Sequence, residues 1–204
     1  MEFFLKGGAL GFSIAAPVGP IGVLCIRRSI AEGRLMGFLS GLGAATADAF
    51  YGLVAAAGLT SVSVFLVHQK NWLGLIGGLF LCWLGVQTFR AQPAEQAAKA
   101  DAHGLLSAYA STFALTLTNP LTILSFLGMF AAVGPDLAGG GVKATSLMVA
   151  GVFTGSALWW LVLSFVVGAL RSRFDRNWQR WLNRLSGVVI ASFGFWHLSK
   201  LALR

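Results

Sequence analysis

Three windows of this chain, 73–89, 110–133 and 144–170, run for 17 residues or more with no charged side chain. A helix of that length crosses about 30 Å of hydrocarbon. The runs do not alternate with period two, so they read as membrane helices and not as barrel strands. Only 11% of the 204 residues are charged, against about 25% in a soluble domain. The hydropathy pattern predicts six spans, at about 3–26, 37–62, 72–89, 109–133, 144–170 and 185–202. The start "MEFFLKGG" lacks a basic n-region and a second span follows at once, so the first segment is expected to be retained. Spans and short connections consume nearly the whole chain. The expectation is therefore one membrane domain over 1–204, all-α, with no soluble catalytic domain.

The first span contains "AAPVGPIGVLCIRRS", in which Pro17, Gly19 and Pro20 cannot sit in an unbroken helix. The second half of the chain answers it. Setting Pro20 against Pro120 places "SIAAPVGP" on "FALTLTNP". With about eight extra residues near "GPDLAGGG", "GAATADAFYG" at 43–52 falls on "GVFTGSALWW" at 151–160, so that Gly43 meets Gly151 and Asp48 meets Ser156. Each half then reads as a proline-broken span, a glycine-patterned span with a polar centre, and a plainer span. Three spans per half invert the second half, as in secondary transporters that bind substrate near the midplane at interrupted helices. The predicted fold is thus two inverted three-helix repeats, about 1–90 and 109–204, joined by a polar linker near 91–108, with helices 1 and 4 broken at proline.

A broken helix exposes backbone N–H groups at the positive end of its second half. Pro17 and Pro20 can end one half-helix and begin the next, with Gly19 permissive between them. Pro120 does the same in the second half, where Thr118 and Asn119 supply polar groups and an N-cap. Two such ends can hold a carboxylate, such as that of an amino acid, without a buried cation. The plainer alternative is a pair of kinks satisfied by neighbouring helices; the recurrence at matched positions favours a site, to which Ser156 also belongs.

Asp48 lies 11 residues inside Gly37, about 16 Å along a helix and close to the bilayer centre. A central Asp costs about 2.5–3.5 kcal/mol on insertion scales, so it must face a cavity, find a partner or be neutral. No Lys or Arg is expected at its depth. It is the candidate for loading and releasing a proton, against the alternative of a neutral acid bonded to Thr46 or to the other repeat. Gly33, Gly37 and Gly41, at four-residue spacing, allow another backbone to approach the same helix.

Basic residues divide ten to five between the two sides of the membrane, the ten following spans one, three and five, among them Arg27, Arg28, Arg34 and Arg90. The positive-inside rule puts that side in the cytoplasm and both termini outside. The net charge of +8 reflects this asymmetry and attraction to anionic lipid, not nucleic acid. Phe174, Trp178, Trp181 and Leu185 form a stripe within "RSRFDRNWQRWLNRL", expected to be a short interfacial helix. Cys25 and Cys82 read as small buried hydrophobes.

At "PVGPIGVL", "GLGAATADAFYG" and "LTNPLTILSF" the chain resembles the LysE/RhtB-type amino-acid exporters over nearly its whole length. The resemblance implies a bacterial inner-membrane protein, often dimeric, that exports amino acids by proton antiport with no cofactor. It also implies functional roles for Gly19, Pro20, Asp48, Asn119 and Pro120. One position departs: where the family's Gly-Pro is commonly followed by Asn or Gln, Ile21 follows here and makes the first half-site less polar. A metal-ion exporter of similar architecture would need several ligands at membrane depth, whereas His68, His103 and His197 lie in loops or near span ends. An intramembrane enzyme would need a catalytic pair or a motif such as HExxH, and neither is present.

Overall fold

The first apolar run is two helices, not one. In the computed structural model, which describes residues 1–17, 19–56, 69–90, 102–119, 122, 123, 125, 126, 141–170 and 176–202, α1 (Glu2–Ala15) stops two residues before Pro17. Ala16 still has helical angles, φ −64° and ψ −37°, and its N–H donates to the Phe12 carbonyl; Pro17 has no N–H with which to carry the ladder further. α2 (Pro20–Ala31) restarts with Pro20 as its first residue and Gly19 as an extended N-cap at φ −103° and ψ −164°. The two axes are bent by 82°. α2 ends where the Glu32 and Gly33 N–H groups both donate to the Arg28 carbonyl, and Gly33, at φ +111°, turns the chain into α3 (Arg34–Ala56). Side chains disfavour that backbone conformation and glycine does not.

Four more helices follow: α4 (Lys70–Arg90), α5 (Ala102–Leu117), α6 (Gly141–Ala169) and α7 (Arg176–Ala202). Among the described residues all regular structure is helical. Helices stand in the places of all six expected spans, with three differences. The first span is longer than expected and runs on through Arg27 and Arg28 to Ala31. The fourth begins at Ala102, inside the expected linker. The expected short interfacial helix is instead the first turns of α7, one 27-residue helix, along which exposed Trp178, Trp181 and Leu185 continue into exposed Val188; Phe174 lies outside the described residues.

Glycine contacts fix how the helices pack. α1 lies along α6 in the same direction, Gly7 against Met148 and Gly11 against Val152, where no side chain fits between the backbones. α3 lies along α5 in the same direction, Gly43 against Tyr109 and the Tyr51 hydroxyl on the Leu117 carbonyl. α3 and α6 are antiparallel, Gly41 on Trp160 and Gly52 on Val152, as are α4 and α7, Gly78 near Gly194 and Gly85 near Gly187. Each of these helix pairs has glycine on at least one side of its contact, the chemistry by which helices approach closely in lipid. α4 shows the complement: Trp72, Ile76, Leu79, Trp83 and Val86 form an exposed stripe, with large apolar side chains outward and glycines inward. A soluble helix has the reverse arrangement. By length and composition, α6 alone among the described helices can cross a membrane, and α1 with α2 meet the same standard as a bent pair.

Candidate substrate and proton site

Asp48 is buried between α3 and α6, and its partner comes from the other half of the chain. The Ser156 hydroxyl donates to Asp48 Oδ2 at 2.7 Å, and the Trp160 indole N–H donates to Ser156 Oγ at 3.2 Å. Ser156 is fully enclosed and Asp48 is 4% exposed. The antiparallel approach of α3 and α6 makes this pairing, because Gly41 and Gly52, one to two turns on either side of Asp48, let α6 come close. Ser156 has one proton and gives it to Asp48, so Oδ2 accepts whether the acid is ionised or neutral. The arrangement can hold a proton on Asp48 without displacing a permanent cation. Thr46, the other partner considered, turns away: its hydroxyl donates to Leu42 O and accepts from Tyr109 OH at 2.9 Å.

Both helix breaks connect to this point. Ala15 and Ile21, on either side of the first break, pack in one apolar cluster with Ala44, Ala45 and Trp160, the same Trp160 that bonds Ser156. Pro17 is exposed, Gly19 half-buried and Pro20 buried. Tyr51, one turn beyond Asp48, bonds the Leu117 carbonyl at the end of α5 and stacks on Phe126 with ring centroids 5.7 Å apart. A helix end leaves its last carbonyls without partners, and Tyr51 fills one of them.

The two breaks restart alike. The Gly19 carbonyl accepts from the Val23 N–H at 3.0 Å, and the Asn119 carbonyl accepts from the Ile123 N–H at 3.2 Å, so each residue stands at an N-cap position. Thr118 does not share that role. Its hydroxyl donates back to Ala114 O at 2.9 Å, closing α5 instead of opening the next turn. Pro120 lies outside the described residues.

The main residue that sequence reasoning misplaced is Arg28. Counted there as a loop cation, it is a buried residue of α2, with hydrogen bonds to Ser40, Ser111, Thr112 and the Ala108 carbonyl. Tyr51 and Trp160 were not singled out at all, since an aromatic on a buried helix face carries no mark of its hydrogen bond. Cys25 is buried and Cys82 half-buried. Among the described residues no three His, Cys, Asp or Glu side chains come together.

A profile of the LysE type translocator family matches residues 12–200. The chain is 29% identical to YcgF of Bacillus subtilis, whose name assigns it to amino acid efflux, over 96% of this chain and 95% of YcgF. It is 29% identical to the threonine efflux protein of Salmonella typhi, covering 70% of this chain and 74% of that protein. It is also 27% identical to the chemotactic transduction protein ChpE of Pseudomonas aeruginosa, over 100% of this chain and 98% of ChpE. No solved structure matches. With a match that takes in both helix breaks, Asp48 and Ser156, this chain belongs to the LysE family of translocators.

Proposed function

We propose that the protein exports amino acids or related small zwitterions across the bacterial inner membrane, by antiport with protons. Two inverted three-helix repeats alternate access to a site at the helix breaks, and Asp48 carries the proton. The observation that most supports the two-repeat arrangement behind this reading is the hydrogen bond between Asp48 and Ser156. These positions match when one half of the chain is laid on the other, and the pair lies where the two halves meet. The packing is consistent with the same relation: α1 runs along α6 as α5 runs along α3, and α3 opposes α6. Amino acid substrates are favoured by the names of YcgF and the threonine efflux protein.

The substrate would lie between Gly19 and Asn119, with Pro17, Pro20, Thr118, Pro120 and Ser156 shaping the site. Each proton moving inward gains about 2.3 kcal/mol per 100 mV, which concentrates a solute roughly fifty-fold before any pH gradient is added. Untargeted metabolite profiling of medium from cells with and without the gene tests the reading. An amino acid that accumulates outside only when the gene is present is the expected result; identical media would sink it.

A further inference from the structure

Two adjacent arginines stand in the last turns of α2, and among the described residues only Arg27 pairs with a carboxylate. Arg27 pairs with Glu32 at 2.9 Å and donates to Asn183 on α7 at 3.1 Å. Arg28, 8% exposed, donates among the described residues only to neutral oxygens. Its Nη1 reaches Ser40 Oγ at 2.8 Å, Ala108 O at 3.1 Å and Thr112 Oγ1 at 3.2 Å, and its Nη2 reaches Ser111 Oγ at 3.0 Å. The three hydroxyls give their own protons to backbone carbonyls, Ser40 to Met36 and both Ser111 and Thr112 to Ala108, so they turn lone pairs toward the guanidinium.

The cage therefore holds one cation between three helices and, among the described residues, no carboxylate bonded to it; the nearby Glu32 carboxylate is taken by Arg27. Buried charges are ordinarily paired. A carboxylate offers Arg28 what the hydroxyls cannot, an opposite charge and two oxygens that match the guanidinium fork.

Placement gives that carboxylate a source. Arg28 is three residues from the end of α2, while Ser40 and Ala108 are each six residues from the start of α3 and α5. All lie within about 9 Å of the helix ends. Arg34 marks the same end of the bundle, the one the basic residues assign to the cytoplasm. Asp48 is eight residues further along α3, about 12 Å deeper. A solute entering from the cytoplasm meets Arg28 before Asp48.

We propose that Arg28 is a substrate-binding residue at the cytoplasmic entrance: it takes the carboxylate of the exported solute in place of the Ser111 and Thr112 hydroxyls when α5 parts from α2, before the solute passes on to the site between Gly19 and Asn119. The inference rests on the export reading and adds the group that selects the substrate class. Acids are accepted; the matching amides and amines are not.

The test loads proteoliposomes carrying the full chain with the proteinogenic L-amino acids and, separately, with their carboxamides, and identifies released solutes by mass spectrometry. The wild type is expected to release at least one amino acid and not its amide. Arg28→Lys, which keeps the charge but loses the planar fork, should raise KM for that amino acid by about tenfold with a smaller change in kcat. Arg28→Gln should abolish the preference for acid over amide; if it does not fold, the Lys variant decides alone. Equal release of acid and amide by the wild type overturns the role of Arg28 and leaves export standing. So does a Lys variant whose kcat falls while KM and acid preference are unchanged, since Arg28 is then only a tie between helices. Release of neither solute by the wild type overturns the export reading and this inference together.

Discussion

Asp48 and Arg28 are both buried charges, and the sequence exposed one and hid the other. Asp48 stands in the middle of an apolar run, so its cost is visible from the residues alone, and aligning the two halves puts Ser156 opposite it. Arg28 was hidden because hydropathy marks where a run becomes polar, not where its helix ends, and α2 continues five residues past that point. If Asp48 carries the proton, Asp48→Asn should fold normally, lose uphill export driven by a pH gradient, and retain downhill exchange; vesicles with and without an imposed gradient separate the two. Normal uphill export by this variant would remove Asp48 from the coupling. Ser156→Ala acts on the same bond from the other side. It strips partners from Asp48 and the Trp160 indole, which should cost about 1–3 kcal/mol and lower the unfolding temperature of the purified protein.

Whole helices were easier to read than their ends. α5 starts at Ala102, inside the polar stretch "RAQPAEQAAKADAHG", because His103 and Gly104 lower the hydropathy of its first turn without stopping the helix. α7 reaches back to Arg176 for a related reason: outward tryptophans and arginines suit an interface, and nothing at Leu185 stops the helix. The breaks were legible because proline has a fixed backbone requirement, but Tyr51, which closes the second one, was not. Tyr51→Phe leaves the Leu117 carbonyl without that partner and should destabilise the protein by about 1–3 kcal/mol, read as a lower unfolding temperature in detergent. Asn119→Leu keeps the volume and removes the amide, so transport should fall further than the amount of folded protein; equal losses of both would make Asn119 structural.

For the whole molecule, the count of basic residues makes a prediction that the helix packing does not by itself decide. In a cysteine-free background, a single cysteine at position 203 should react with an impermeant reagent added outside intact cells, and one at position 99 should not. Labelling of position 99 from outside would invert the topology and place Arg28 at the outer mouth. Among the described helices, α1 and α6 run one way, α3 and α5 the other, and α4 opposes α7.

The glycine face of α1 has its match on α6, and Gly41 and Gly43 of α3 meet α6 and α5, so these early helices are made long before the surfaces that receive them. During synthesis the first half must therefore wait in the bilayer with its small-residue faces unclaimed, sheltered by lipid or by the insertion machinery. Such a protein commits to its final form late, and a truncated chain is a target for membrane proteases instead of a functional fragment. Residues 1–90 and 102–204 expressed separately should each be short-lived in a pulse-chase experiment, and their co-expression should prolong the life of both.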